Sequence, residues 1–290
     1  MVAAEQLVGK VEGFNNEKIR IGLCADTHFW PTNTLYCGSH GSLQFQPWSE
    51  QIGTVLLSEL QRAQLDMIIH MGDMTCGGGV YEMPLQNFYT ALTQTQQEYR
   101  RFSPHFYALP GNHDCLPGGS DWAYFEILWG LPPGGGLTLD LPMARLVLLN
   151  AQGHTKQQIE QAKPADPVYG WVNQAELARF AEALATAGDR PVLVFAHQLL
   201  QRWAGDKPWQ DFYAIRNSSA VLAIMERYAN VRAVFQAHAH RFDVQTIDVG
   251  QKPCHFVVMP ALIEYPLGWL SLELSRTNLR IRLQTLPLSD

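Results

Sequence analysis

The stretch "HFYALPGNHDCLPGG" (residues 105–119) runs from a short apolar segment through a proline into a loop rich in glycine and proline. A turn favours Gly, Asn and Asp for backbone reasons, but it has no such use for a histidine between them. Gly111-Asn112-His113-Asp114 therefore reads either as a turn with a passenger imidazole or as a strand-end loop that carries chemistry. The flanking segments decide between the two.

Upstream, "IRIGLC" (19–24) and "LDMIIHM" (65–71) are short apolar runs bounded by polar residues, the pattern of buried strands. Between them, residues 48–64 place Ile52, Val55, Leu56 and Leu60 at helical spacing, with Ser49 as the expected N-cap. Residues 83–100 read as a second helix with Pro84 in its first turn, leading to the strand "HFYAL" (105–109). The order β-α-β-α-β implies a parallel sheet with right-handed crossovers. Downstream, residues 137–150 read as a strand pair, and 173–187 as an amphipathic helix ended by Gly188. "PVLVFAH" (191–197) and "VRAVFQAH" (231–238) read as buried strands on either side of a helix at 218–229. The tail from 242 to 286 alternates without helices and reads as an antiparallel meander belonging to the same single domain, residues 1–290.

Composition narrows the function classes. The 290 residues are 47% hydrophobic and 17% charged, which is ample core material and argues against disorder. The formal charge is −6 and no basic run occurs, so a DNA nuclease or another binder of nucleic-acid polymers is not expected. No apolar run approaches the roughly 20 residues that span a bilayer, and the first 18 residues lack the apolar core of a signal peptide. The five cysteines form no CxxC pair, which excludes a zinc ribbon and leaves the expectation of a cytoplasmic protein with reduced thiols. Cys24, Cys76 and Cys115, close to the motifs, are expected to be small buried packing residues.

The carboxyl ends of these strands carry one kind of side chain. They deliver Asp26 and His28, then Asp73, then Asn112, His113 and Asp114, then His197, and finally His238 and His240. Ligands bind at the carboxyl ends of strands in open α/β sheets. Two aspartates, one asparagine and four histidines, with no thiolate, suit Mn, Fe, Zn or Ni. Seven donors exceed one tetrahedral ion and match two ions sharing a carboxylate, the clamp used for displacement at phosphorus.

The five motifs DxH, GD, GNHD, H and HxH, in this order from Asp26 to His240, resemble the calcineurin-like metallophosphoesterase superfamily. The resemblance implies an α/β fold, a four-layer α-β-β-α sandwich of two mixed sheets with a binuclear site at the strand ends. It implies that Asp26, His28 and His240 hold one ion, that Asn112, His197 and His238 hold the other, and that Asp73 bridges them. The two divalent ions would be Mn²⁺ or Fe, with Zn²⁺, Ni²⁺ or Mg²⁺ as alternatives. His113 would donate a proton to the leaving oxygen, with Asp114 orienting it. The tail would supply the last strands of the second sheet. Two departures stand out: Ala237 occupies the glycine position of GHxH, and Gln198-Leu199 follows His197 where many relatives have His-x-Pro.

The reading is a hydrolase of a phosphodiester or pyrophosphate bond in a small nucleotide-like substrate. The alternatives are a phosphomonoesterase, including a protein phosphatase, and a non-catalytic scaffold. Two long loops, 29–48 and 198–217, are the expected pocket walls, with His40, Arg202 and Arg216 as substrate contacts. Trp30, Tyr36 and Trp48 are expected to pin the first loop or to stack on a base. His70, His105, His154 and His255 are expected to be satisfied core histidines.

Overall fold

The computed structural model describes residues 8–10, 14, 17–39, 42–78, 81–119, 121–161, 168–204 and 210–287; His40 lies outside them. Among the described residues, one sheet has seven strands in the order β1 (Val8–Lys10), β7 (Leu137–Asp140), β8 (Arg145–Leu149), β9 (Val192–Ala196), β10 (Val231–Gln236), β12 (Lys252–Val258) and β11 (Asp243–Val249). The other has five, in the order β14 (Leu279–Thr285), β13 (Gly268–Ser275), β2 (Lys18–Cys24), β5 (Met67–His70) and β6 (Phe106–Ala108). A separate hairpin pairs β3 (Cys37–Ser39) with β4 (Ser42–Gln44).

Strand alternation builds the layers. Side chains on a strand point to opposite faces in turn, so Ile19, Ile21 and Leu23 of β2 join Leu146, Leu148, Leu193 and Phe195 in a core between the sheets. Cys24, Ile68 and Ala108 face the other way, onto α1 (Ser49–Arg62), α2 (Leu85–Phe102) and α3 (Ala123–Trp129). On the seven-stranded sheet, Val147, Val194 and Val234 turn outward instead, onto α5 (Gln174–Ala185) and α7 (Ser218–Glu226). This is the expected sandwich of two mixed sheets between helices. The short helices α4 (Lys156–Gln161) and α6 (Gln210–Tyr213), which lie in loops, were not evident from periodicity.

β2, β5 and β6 pair in parallel, as do β8, β9 and β10, so each sheet aims three carboxyl ends the same way. The strand pair at 137–150 is antiparallel as expected. The tail differs from a single meander. β12 pairs in parallel with β10, whereas β13 crosses to pair antiparallel with β2. The tail thus completes both sheets. Alternation marks a buried face without naming its partner, which is why the split was not evident. Ser49 also does not cap α1: Trp48 is the N-cap, and the Ser49 hydroxyl accepts from the Trp30 amide at 3.1 Å. Pro84 is itself the N-cap of α2 rather than part of its first turn.

Candidate metal centre

The five strand ends converge. Donor atoms of Asp26, Asp73, His197 and His238 lie within 4.8 Å of one another, and so do those of Asp26, His28 and His240. Asn112 joins the first group through Oδ1, 3.3 Å from Nε2 of His197. The Asp73 carboxylate divides its work. Its Oδ1 accepts the His113 amide at 2.8 Å, while Oδ2 lies 3.2 Å from His197, 3.8 Å from His28 and 3.9 Å from His238. The Asp26 carboxylate places Oδ1 3.3 Å from Nε2 of His240.

Local backbone geometry makes this convergence. Asp26, His28, Asp73, His238 and His240 all have left-handed φ, between 41° and 65°. Such a conformation costs a non-glycine residue about 1–3 kcal/mol and persists only where its surroundings enforce it. The i, i+2 pairs therefore meet through left-handed turns, not through the extended backbone that the spacing alone implies. Two glycines make room. A Cβ on Gly72, at φ 101°, would sit 2.7 Å from Nδ1 of His197, and one on Gly111 would sit 2.1 Å from Oδ1 of Asp73. Ala237, in contrast, has no left-handed backbone, and its methyl belongs to the core between the sheets. Leu199 donates its amide to the Tyr213 carbonyl at 2.8 Å, a bond that a proline at this position would lack.

The cluster is buried and rich in unsatisfied donors. Asp26 Oδ1, Asn112 Nδ2 and both ring nitrogens of His238 are buried without a hydrogen-bond partner among the described residues. Nε2 of His28 and Nε2 of His240 face each other at 3.4 Å. Two imidazole nitrogens aimed at one point, beside carboxylates, are what a cation requires, so the residues fit divalent ions. Electrostatics agree. Burial pushes His197 and His240 down, yet facing carboxylates outweigh it: Asp73 and Asp26 lift His197 to about 9, and Asp26 and Glu264 lift His240 to about 10. Burial likewise pushes the Asp26 and Asp73 carboxyls up. His240 and His197 beside Asp26, and His197 and His113 beside Asp73, outweigh it and hold both carboxyls below the usual range. Protons here do the neutralising that metal cations would do.

His113 sits at the edge of the cluster, its ring 5.3 Å from that of His28, with Nδ1 3.1 Å from the Gly77 carbonyl oxygen. Asp114 does not orient it. Its carboxylate accepts from the amides of Gly111, Met74 and Thr75 at 2.9, 2.9 and 3.1 Å, so it clamps the GNHD loop to the GD loop. Burial and the neighbouring Asp73 raise this carboxyl to about 7.

Two residues beside the cluster fall outside the five motifs. The Tyr81 ring lies 4.6 Å from His113 and 5.7 Å from His28, with its hydroxyl on Gln44 Oε1 at 2.8 Å. Glu264 places Oε1 2.9 Å from Nδ1 of His240. Neither belongs to a motif; only a buried acid in an apolar run, "PALIEYPL" (260–267), marked the second.

The expected walls are partly present. Arg202 and Arg216 line a cavity of about 530 Å³, but Arg202 pairs with Asp211, and the Arg216 guanidinium lies 3.3 Å from the Tyr169 ring centroid. The Tyr213 ring, between the lining residues Phe212 and Ala214, meets His238 edge-on at 5.1 Å. Tyr36 and Trp48 are exposed with their rings 5.0 Å apart, whereas Trp30 packs on the helical layer. His70 is buried and bonded to Thr27 and Gly72, but His255 is exposed on β12 and not in the core. Cys24, Cys76 and Cys115 are buried, as expected. Among the described residues no helix is long and apolar enough to cross a membrane.

The family model for calcineurin-like phosphoesterases matches residues 19–242, from the first residues of β2 to just beyond His240. The chain belongs to the calcineurin-like phosphoesterase family. The chain is 26% identical over 187 residues to a 3′,5′-cyclic-nucleotide phosphodiesterase (alr5338) of Nostoc sp. strain PCC 7120, a match that covers 64% of this chain. The match spans 59% of that relative's length. The fold resembles a dimetal phosphatase from Danio rerio, with a TM-score of 0.68 at 14% identity over 93% of this chain and 99% of the other. It also resembles a purple acid phosphatase from yellow lupin (Lupinus luteus) seeds, with a TM-score of 0.63 at 13% identity over 93% and 52%.

Proposed function

We propose that this protein is a binuclear metal-dependent phosphoesterase that hydrolyses a phosphodiester or pyrophosphate bond in a small nucleotide-like substrate. The observation that carries the reading is the convergence of seven donor residues from five strand ends, Asp73 Oδ2 facing His197, His28 and His238 among them, with His113 beside them. Asp26, His28 and His240 would hold one ion, and Asn112, His197 and His238 the other. Asp73 would be shared by both; its Oδ1 accepts the His113 amide and its Oδ2 faces His197, His28 and His238. Mn²⁺ suits these oxygen and imidazole donors, with Fe as the alternative. Ions held there supply a water-derived nucleophile at neutral pH and neutralise charge on the phosphoryl group.

The chain's own residues do the rest. Nδ1 of His113 donates to the Gly77 carbonyl, which leaves Nε2 as the free end of the ring. In its protonated form the ring gives the Nε2 proton to the leaving oxygen as the P–O bond breaks. The Asp114 clamp holds the GNHD loop against the GD loop, so His113 and Asp73 keep one geometry. Kinship with the Nostoc cyclic-nucleotide phosphodiesterase supports a diester over a monoester.

The test is hydrolysis of bis(4-nitrophenyl) phosphate against 4-nitrophenyl phosphate by protein stripped of metal and reloaded with Mn²⁺. Faster diester turnover, lost on stripping and restored by Mn²⁺, supports the reading. Faster monoester turnover moves it to a phosphomonoesterase.

A further inference from the structure

Glu264 is a buried acid that belongs to none of the five motifs. It is 3% exposed and sits between Ile263 and the exposed Tyr265, which is 79% exposed. The segment around it is tied to the first motif: the amides of Leu262 and Ile263 donate to the carbonyls of Ala25 and Asp26 at 3.2 and 3.1 Å. The Leu267 amide donates back to the Glu264 carbonyl at 2.7 Å, which closes a turn around the acid. The backbone that carries Asp26 thus also fixes the position of Glu264.

The Glu264 side chain ends at His240. Oε1 lies 2.9 Å from Nδ1 of that ring, and among the described residues it has no aligned hydrogen-bond partner. The opposite nitrogen of the same ring, Nε2, faces Asp26 Oδ1 at 3.3 Å and His28 Nε2 at 3.4 Å. The imidazole is therefore held between a carboxylate on one side and the donor cluster on the other. Glu264 does not join either donor group, so it acts through the ring and not as a ligand. A buried carboxylate left without a partner is costly, and His240 Nδ1, itself buried without an aligned partner, is the polar atom placed 2.9 Å from it.

We infer that Glu264 is a positioning residue of the metal centre: its carboxylate accepts a hydrogen bond from the Nδ1–H of His240, fixes the ring in that tautomer and turns Nε2 toward the ion that Asp26 and His28 would share. This rests on the metal-centre reading above. A carboxylate behind a histidine ligand orients the ring and raises its basicity, and losing one weakens metal binding by about 10- to 100-fold. The effect would fall on one of the two ions, since Glu264 pairs with His240, which stands in the group of Asp26 and His28 and not in that of His197 and His238. Nδ1 of His197 is instead held by the Met71 carbonyl oxygen at 2.8 Å.

The experiment is Mn²⁺ titration of the metal-free protein, followed by calorimetry and by electron paramagnetic resonance, for the wild type, Glu264→Gln and Glu264→Ala. Glu264→Gln keeps the size and an acceptor oxygen but removes the charge, so it separates positioning from packing. Thermal melting of each metal-free variant confirms the fold. The expected result is two Mn²⁺ in the wild type and, in Glu264→Gln, one site weakened about 10-fold with the other unchanged. The weakening is greater in Glu264→Ala, and the spin-coupled pair signal gives way to a mononuclear one at limiting metal. Two ions bound by Glu264→Gln with wild-type affinity overturn the inference and leave the metal centre standing. A wild type that binds no Mn²⁺ overturns the metal centre itself, and the inference with it.

Discussion

The backbone amide of His113 donates to Oδ1 of Asp73 at 2.8 Å. This bond joins the group placed to deliver a proton to the carboxylate placed between the two histidine sets. It belongs to the backbone, so it survives any change of the His113 side chain. It also leaves Asp73 with one oxygen, Oδ2, for the cluster.

Asp73→Asn should therefore remove both ions. An amide at this position brings no negative charge to face His197, His28 and His238, and no anionic oxygen to share. Metal content by plasma mass spectrometry is expected to fall to near zero after gel filtration. Two tightly held ions in this variant would end the bridging assignment.

His113→Ala should keep both ions and lose turnover by about 10²- to 10⁴-fold, the usual contribution of a positioned proton donor. The side chain it removes bonds the Gly77 carbonyl and contacts neighbouring rings, not the Asp73 oxygens. The readout is kcat on the diester alongside metal content. An unchanged kcat would refute the role.

Gly111→Ala tests the packing beneath the site. Its Cβ would meet Asp73 Oδ1 at 2.1 Å and the Asp73 amide nitrogen at 2.4 Å, neither of which can move without displacing the carboxylate. The expected cost is about 1–3 kcal/mol in urea denaturation of the metal-free protein, with weakened metal binding besides. Wild-type stability and metal content would contradict the crowding.

Ala237→Gly addresses the departure from the family motif. Restoring glycine gives no relief, because the backbone there is not left-handed and the methyl fills the core between the sheets. A loss of about 1 kcal/mol, with metal affinity unchanged, is expected from the lost methyl and the added chain freedom. Tighter metal binding in the variant would show that the alanine crowds the centre after all.

His154 sets a pH dependence away from the metals. Burial pushes its imidazole down to about 4, the Tyr169 carbonyl raising it and the Arg216 charge lowering it further. Below about 6.5 the unfolded chain binds a proton that the folded ring refuses. The stability this group contributes is thus present above about pH 6.5 and is lost as pH falls towards about 4. Denaturation of the wild type and His154→Gln across that window should show a shallower pH slope in the variant. Equal slopes would remove His154 from the account.

Much of the centre was legible because its information is local. Each ligand lies within a few residues of a strand whose apolar run is visible in the chain, and parallel strands bring their carboxyl ends together. Cys24 and His70 were read correctly for the same reason: a polar or sulfur atom inside an apolar run is buried and must find a partner. Asp114 was misread because sequence adjacency to His113 resembles contact. In the folded loop its oxygens turn to three backbone amides, since those donors are buried and need acceptors. His255 was misread because its strand is apolar on one face only.

The sequence by itself determined the main strands and the longer helices, and which side chains stand where strands end, because periodicity and turn chemistry act over a few residues. Only the tertiary structure decided that β12 and β13 part to different sheets, that five residues of the Asp/His cluster adopt left-handed backbone, and that Glu264 lies behind His240. These depend on which distant segments meet. The donation of Ile263 to Asp26, which carries Glu264 to the centre, joins residues 237 positions apart, a distance at which no pattern in the chain can speak.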